Sequence, residues 1–142
     1  MSLSRYERGA VVAELSDTTA DVARRMRDFH IGAVVVVREG RVIGIVTDRD
    51  LVLRVIAEGL DPATTRVETV VTYDPTTVAR DESIETALRL MRDRCVRRLP
   101  IVDGGGKVTG IVTADDLLSL LTQELADLGV GIRDNVDATE SR

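Results

Sequence analysis

Two short segments place a hydroxyl and a carboxylate at one spacing. Thr47-Asp48-Arg49-Asp50 and Thr113-Ala114-Asp115-Asp116 each follow a Gly-Ile-Val run, and the copies are offset by 66 residues. The β-branched run predicts a strand ending at each Thr, with a helix starting just after it. A helix start presents unpaired N–H groups and about half a unit of positive charge, so it attracts an anion, and the Thr hydroxyl adds a donor. Asp50 and Asp116 fall three residues on, on the same side of the first turn. A carboxylate there can accept hydrogen bonds from two vicinal hydroxyls, as on a ribose. Ile45 and Ile111 precede each Thr by two and are placed to flank an adenine. The same spacing also serves structure alone, because Thr-x-x-Asp is close to a capping box and an N-cap contributes ~1 kcal/mol. Composition and spacing by themselves favour the cap.

The duplication extends upstream and fixes the elements that must carry these residues. Met26-Arg27-Asp28 matches Met91-Arg92-Asp93 at offset 65, and residues 34–37 match 99–102 at the same offset. The offset changes by one between Arg38-Glu39-Gly40-Arg41 and Asp103-Gly104-Gly105-Gly106-Lys107, where a hairpin turn tolerates an extra residue. Each unit then reads as strand (10–13; 76–78), helix, strand (34–37; 100–102), turn, strand (42–46; 108–112) and second helix. The first helices show apolar faces of Val22, Met26 and Phe29, and of Ile84, Ala87, Leu88 and Met91. Gly59 and Gly129 are expected to cap the second helices. The chain divides into a lead (1–9), a first repeat (10–59), a linker (60–69), a second repeat (70–129) and a polar tail expected to fray (130–142).

Totals narrow the function. The chain has 142 residues, and half of it would be marginal alone, so two copies sharing a core are expected. Only two Tyr, one Phe and no Trp are present, too few for a base-stacking platform, and a net charge of −5 disfavours nucleic-acid binding. No apolar run reaches the ~18 residues that a membrane span needs, and residues 1–8 lack the apolar stretch of a secretory signal, so none is expected. A single cysteine, Cys95, fits a reducing cytoplasm, and one His with one Cys cannot build a zinc site. No nucleophile–base constellation points to an enzyme.

The order of elements resembles a CBS domain (named for cystathionine β-synthase). Leu99-Pro100-Ile101-Val102-Asp103 followed by the Gly110–Leu117 segment carries the likeness, as does Val70-Val71-Thr72-Tyr73-Asp74-Pro75 at the start of the second repeat. Two such repeats resemble a CBS pair, or Bateman module, over residues 10–128. No matching start segment precedes Ala10, and Thr19 stands where Ile84 does in the second repeat. The resemblance implies an α/β (α+β) fold of two tandem β-α-β-β-α repeats, related by a pseudo-twofold axis with two clefts between them. CBS pairs of this kind commonly bind AMP, ADP or ATP, and some bind S-adenosylmethionine, NAD or cyclic di-AMP. They act as regulatory modules on an effector protein, often as flat homodimers. The resemblance assigns phosphate to Thr47 and Thr113, ribose to Asp50 and Asp116, and base to Ile45 and Ile111. With the duplication, it points to nucleotide contact in at least one cleft, where ligand and cap can coexist by displacement. A structural, dimer-forming module with vestigial clefts is the alternative.

The copies differ in charge. Arg97-Arg98 precedes Leu99-Pro100, where the first repeat has Gly32 and Ala33. In similar modules a basic residue there reaches the ligand's phosphates, so the Thr113/Asp116 cleft is expected to take the more phosphorylated ligand. Solvated arginines are the plainer reading. Arg49 is a phosphate partner for the Thr47 cleft or a solvated side chain. The Gly104–Lys107 run is expected to be a hairpin turn, Cys95 to pack as a small apolar residue, and His30 to cap or pack. Asp48 and Asp115 suit helix N-terminal turns. The stripe Leu117, Leu121, Leu125 and Leu128 is expected in the core, with the helix end open to a dimer interface.

Overall fold

A computed structural model of the chain describes Leu3 and residues 8–140, with side chains described through residue 136. Two sheets and four helices form two tandem repeats. The first repeat contains β1 (Val12–Ala13), α1 (Thr19–Phe29), β2 (Ala33–Arg38), β3 (Arg41–Thr47) and α2 (Asp48–Leu51). A π-helical turn, Val52–Ile56, continues α2. The second contains β5 (Val78–Ala79), α3 (Ile84–Arg94), β6 (Arg98–Val102), β7 (Val108–Thr113) and α4 (Ala114–Glu140). Between them lie a 3-10 turn, Val67–Thr69, and β4 (Thr72–Tyr73).

Each first strand runs parallel to the middle strand, and the middle strand forms an antiparallel hairpin with the next. The two hairpins carry irregularities at matching points, Val36/Val37 and Ile101/Val102. Both middle strands bury an apolar run, residues 33–37 in β2 and 99–101 in β6, as expected of a strand covered on both faces. The hairpin ends meet each other. Val42 N–H donates to Gly106 O at 3.3 Å, and Val108 N–H donates to Gly40 O at 3.1 Å. This reciprocal pair is the mark of the pseudo-twofold axis.

Two apolar cores result. One gathers Val22, Met26, Val34, Val36, Val46 and Val55; the other gathers Ile84, Ala87, Met91, Leu99, Ile101, Val112 and Leu117. Each core is completed by the segment that leads into the opposite repeat. Val67, Val70 and Val71 pack into the first core, and β4 pairs with β3 there. Gly44 on β3 permits this approach, since a β-carbon would collide with Val71 and stand 3.0 Å from the Thr72 carbonyl oxygen. In the second core, Leu3 is fully buried, and Arg8 exchanges both backbone hydrogen bonds with Ile111, at 3.2 and 3.0 Å. The Leu3 N–H reaches Glu82 O as the Val67 N–H reaches Asp17 O. Leu3 and Arg8 therefore stand where Val67 and Thr72 stand in the first core, although no matching start segment is expected before Ala10.

Thr18 and Ser83 cap α1 and α3 through Asp21 N–H and Thr86 N–H. Both helices end on a left-handed residue that is not glycine, His30 and Cys95, each at φ 53. The following Ile31 and Val96 close the turn by donating to Met26 O and Met91 O at 3.0 Å. Thr19 departs from Ile84 for a reason. Buried, it donates its hydroxyl to Pro62 O at 3.1 Å, and the linker caps α1 because Thr65 O and Pro62 O accept the Thr19 and Ala20 N–H groups at 2.8 and 3.0 Å. Gly59 ends the second helix of the first repeat at φ +68, as expected. The glycine run after Asp103 is a hairpin turn, with Asp103 Oδ1 accepting from the Gly105 and Lys107 N–H groups.

Several expectations are overturned. Gly129 does not end a helix, because α4 continues past it to Glu140. Neither Gly129 nor Gly131 takes a positive φ, so each merely lowers helix propensity by about 1 kcal/mol. Phe29 and Leu88 carry the right spacing but are exposed, since the buried stripe on each helix is narrower than the apolar one. Of the α4 stripe only Leu117 is core; Leu121, Leu125 and Leu128 are exposed. Cys95 is exposed rather than packed, because it occupies the helix cap.

Candidate functional site

Thr47 and Thr113 both stand where a strand gives way to a helix. Thr47 completes a capping box: Asp50 N–H donates to Thr47 Oγ1 at 3.1 Å, and Thr47 N–H donates to Asp50 Oδ2 at 2.9 Å. Arg54 stands 3.8 Å from the other Asp50 oxygen. In the second repeat Asp116 N–H donates to Thr113 Oγ1 at 3.0 Å, but the carboxylate instead pairs with Arg8 at 3.1 Å. One motif thus closes on itself, and the other opens outward.

A cavity of about 450 Å³ lies beside the second motif. That volume is within the ~300–1,000 Å³ of small-molecule sites. Ile111, Thr113 and Asp116 line it together with Arg97 and Arg98, so five of the sequence-proposed residues meet in one place. The opposite wall comes from the first repeat: Phe29, His30, Ile31, Gly32 and Ala33, at the end of α1 and the start of β2. Val11 and Val35 add apolar surface, and Arg8 and Asp115 add charge. Ile45, Thr47, Arg49 and Asp50 do not line this cavity. Arg49 is exposed, and Ile45 sits on β3 opposite Thr72.

Symmetry of the backbone sets this placement. Asp48 N–H donates to Gly32 O at 2.9 Å, and Ala114 N–H donates to Arg97 O at 2.8 Å, so each second helix starts against the segment before the middle strand of its own repeat. Residues 32–33 and 97–98 are therefore equivalent, yet one pair is Gly-Ala and the other Arg-Arg. Arg97 pairs with Asp115 at 2.8 Å, both highly exposed, and such a contact is worth no more than ~1 kcal/mol. Among the described residues, no ion pair or side-chain hydrogen bond engages Arg98. The cavity holds three guanidiniums and two carboxylates, with Arg98 the uncommitted cation.

Sequence reasoning missed Arg8 and the α1–β2 wall. Arg8 has no counterpart in its twin position, which is Thr72, so repetition gives no signal for it. The wall follows from the pseudo-twofold axis rather than from any motif. Among the described residues no group of three or more His, Cys, Asp or Glu side chains is placed to hold a metal ion, and no helix is long and apolar enough to cross a membrane.

The family model for the CBS domain matches residues 6–57 and 67–123. The chain belongs to the CBS-domain family. Its two matched stretches make it a CBS pair. The uncharacterized protein MK0525 of Methanopyrus kandleri is 39% identical over 114 residues, which is 80% of this chain and 58% of that relative. Hypoxic Response Protein I, solved with two coordinated zinc ions, superposes with a TM-score of 0.75 at 29% identity, covering 84% of this chain and 98% of that one. The CBS domain protein PAE2072 from Pyrobaculum aerophilum, complexed with AMP, superposes with a TM-score of 0.75 over 86% of this CBS pair and 99% of that chain. At 24% identity that likeness is one of fold.

Proposed function

We propose that this CBS pair is a regulatory, non-catalytic module that senses an adenosine-containing nucleotide in the Thr113/Asp116 cleft. The observation that carries the reading is the convergence of Ile111, Thr113, Asp116, Arg97 and Arg98 on one cavity of about 450 Å³. The chemistry sorts itself by position. Val11, Ile31, Ala33 and Ile111 offer an apolar slot for a purine, with Phe29 at the rim. Asp116 faces the ribose hydroxyls. Thr113 and the arginines take phosphate, the guanidinium fork matching phosphate oxygens bidentately. Arg98 is available to a first phosphate at once; further phosphates recruit Arg97 by exchanging its exposed contact with Asp115. AMP, ADP and ATP suit this site, and S-adenosylmethionine and NAD share its adenosine half. An adenine nucleotide in PAE2072 supports the fold as a nucleotide holder.

The first cleft, with Ile45, Thr47, Arg49 and Asp50, is proposed as the weaker site, because its Asp is held by its own cap. A homodimer is the proposed form of the module, its signal passed to an effector protein in the cytoplasm. The exposed face of α4 favours self-association: Leu118, Leu121, Leu125, Leu128 and Ile132 follow the alternating three- and four-residue spacing of a coiled-coil seam.

A thermal-shift panel of AMP, ATP, S-adenosylmethionine and NAD tests the sensing reading. A ligand at ~100 times its Kd adds about 2.7 kcal/mol, a shift of several degrees for a chain of this size. No shift with any of the four would favour a purely structural module.

A further inference from the structure

The two Thr-x-x-Asp motifs differ most in where their arginine comes from. In the first repeat Arg54 lies one turn along the same helix. It donates to Val70 O at 2.6 Å and to Thr72 Oγ1 at 3.2 Å, and flanks Asp50 at 3.8 Å. Its counterpart in the second repeat is Leu120, packed against the core. There the arginine arrives instead from the lead segment, as Arg8, in the place that Thr72 occupies in the first repeat. Arg8 Nη2 lies 3.1 Å from Asp116 Oδ1, and both residues line the cavity.

We infer that Arg8 is the positioning residue of the binding cleft. It draws the Asp116 carboxylate out of the helix cap and holds it toward the cavity, whereas Asp50 is retained by the Thr47 N–H. The inference rests on the reading that Asp116 receives the ribose. A carboxylate has about four acceptor positions, so one guanidinium contact leaves room for two hydroxyls. Arg8 is well anchored for this task. Its backbone is bonded to Ile111 in both directions, and Leu3 seats the start of the lead in the second core. Its side chain is 73% exposed, so the ion pair adds little stability, and its value lies in orientation. Two consequences follow: the Thr113/Asp116 cleft takes the one tightly bound nucleotide of the chain, and the hydroxyls of that nucleotide are read only while Arg8 is in place.

Calorimetry on the full chain with AMP and with 2′,3′-dideoxy-AMP separates the outcomes. Wild type is expected to bind one AMP. Arg8→Ala is expected to weaken AMP about tenfold and leave dideoxy-AMP unchanged, with Arg8→Lys restoring most of the loss. An equal loss for both ligands, or none for AMP, would overturn the inference, the former in favour of direct phosphate contact. Failure of wild type to bind AMP would instead count against the nucleotide reading. A ligand-free crystal structure of Arg8→Ala then decides the inference alone: Asp116 should swing onto the Thr113 N–H, and a carboxylate still aimed into the cavity contradicts it.

Discussion

Gly32 and Arg98 share one volume: a β-carbon on Gly32 would stand 2.8 Å from Arg98 Nη2 and 3.1 Å from Asp48 Oδ2. The glycine leaves room for this approach and is not set by its backbone angle, since its φ is not positive. It keeps the uncommitted guanidinium of one repeat against the backbone of the other, at the edge of the cavity. Gly32→Ala is therefore expected to push Arg98 aside while leaving the cores intact. The measurable result is AMP binding weakened five- to tenfold, about 1–1.4 kcal/mol, with a melting temperature within a few degrees of wild type. Unchanged affinity would contradict the role of Gly32 in holding Arg98 at the proposed phosphate site.

The loop between β1 and α1 supplies a pH test. Asp17 Oδ2 accepts the Glu14 N–H and the Arg25 guanidinium, both at 2.9 Å. The Glu14 N–H, with Arg25 adding to it against the cost of burial, holds the Asp17 carboxyl below its usual range. A depressed carboxylate stabilises the fold fully above the unfolded-state value of about 4, and the gain is lost as pH falls through the folded-state value. Asp17→Ala is expected to cost about 1–2 kcal/mol at pH 7. The gap from wild type should narrow below about pH 4. Denaturant unfolding across pH 2–7 checks this, and a gap independent of pH contradicts it.

How much of this was legible in the sequence depends on how far each feature reaches. Helix starts, hairpin turns and the cap at Gly59 depend on neighbours within a few residues, and the 66-residue repeat displayed them twice. The exchange of lead segments was not legible, because Leu3 and Val67 find their cores in the opposite repeat. Glycine misled at Gly129, where a helix tolerates it and only φ distinguishes a stop from a weak spot. Phe29 and Leu88 kept helical spacing, but the width of the buried stripe is set by what packs on it. In the site, repetition pointed to Thr113 and Asp116. Arg8 stayed hidden because it breaks the repetition.

The exposed seam of α4 predicts association. Leu125 and Leu128 remain 69% and 61% exposed on a 27-residue helix that outruns its domain. Wild type is expected to sediment as a dimer at micromolar concentration, and Leu125→Glu as a monomer, by analytical ultracentrifugation. A wild-type monomer, or a Leu125→Glu dimer, would move the interface elsewhere or remove it.

The central claim is that the second cleft, and Asp116 within it, receives an adenosine nucleotide. Isothermal titration of AMP into wild type and Asp116→Ala tests it most directly. Wild type should bind one AMP per chain. Asp116→Ala, still folded by circular dichroism, should lose at least tenfold in affinity, or about 1.4 kcal/mol. Undiminished binding by Asp116→Ala would contradict the account.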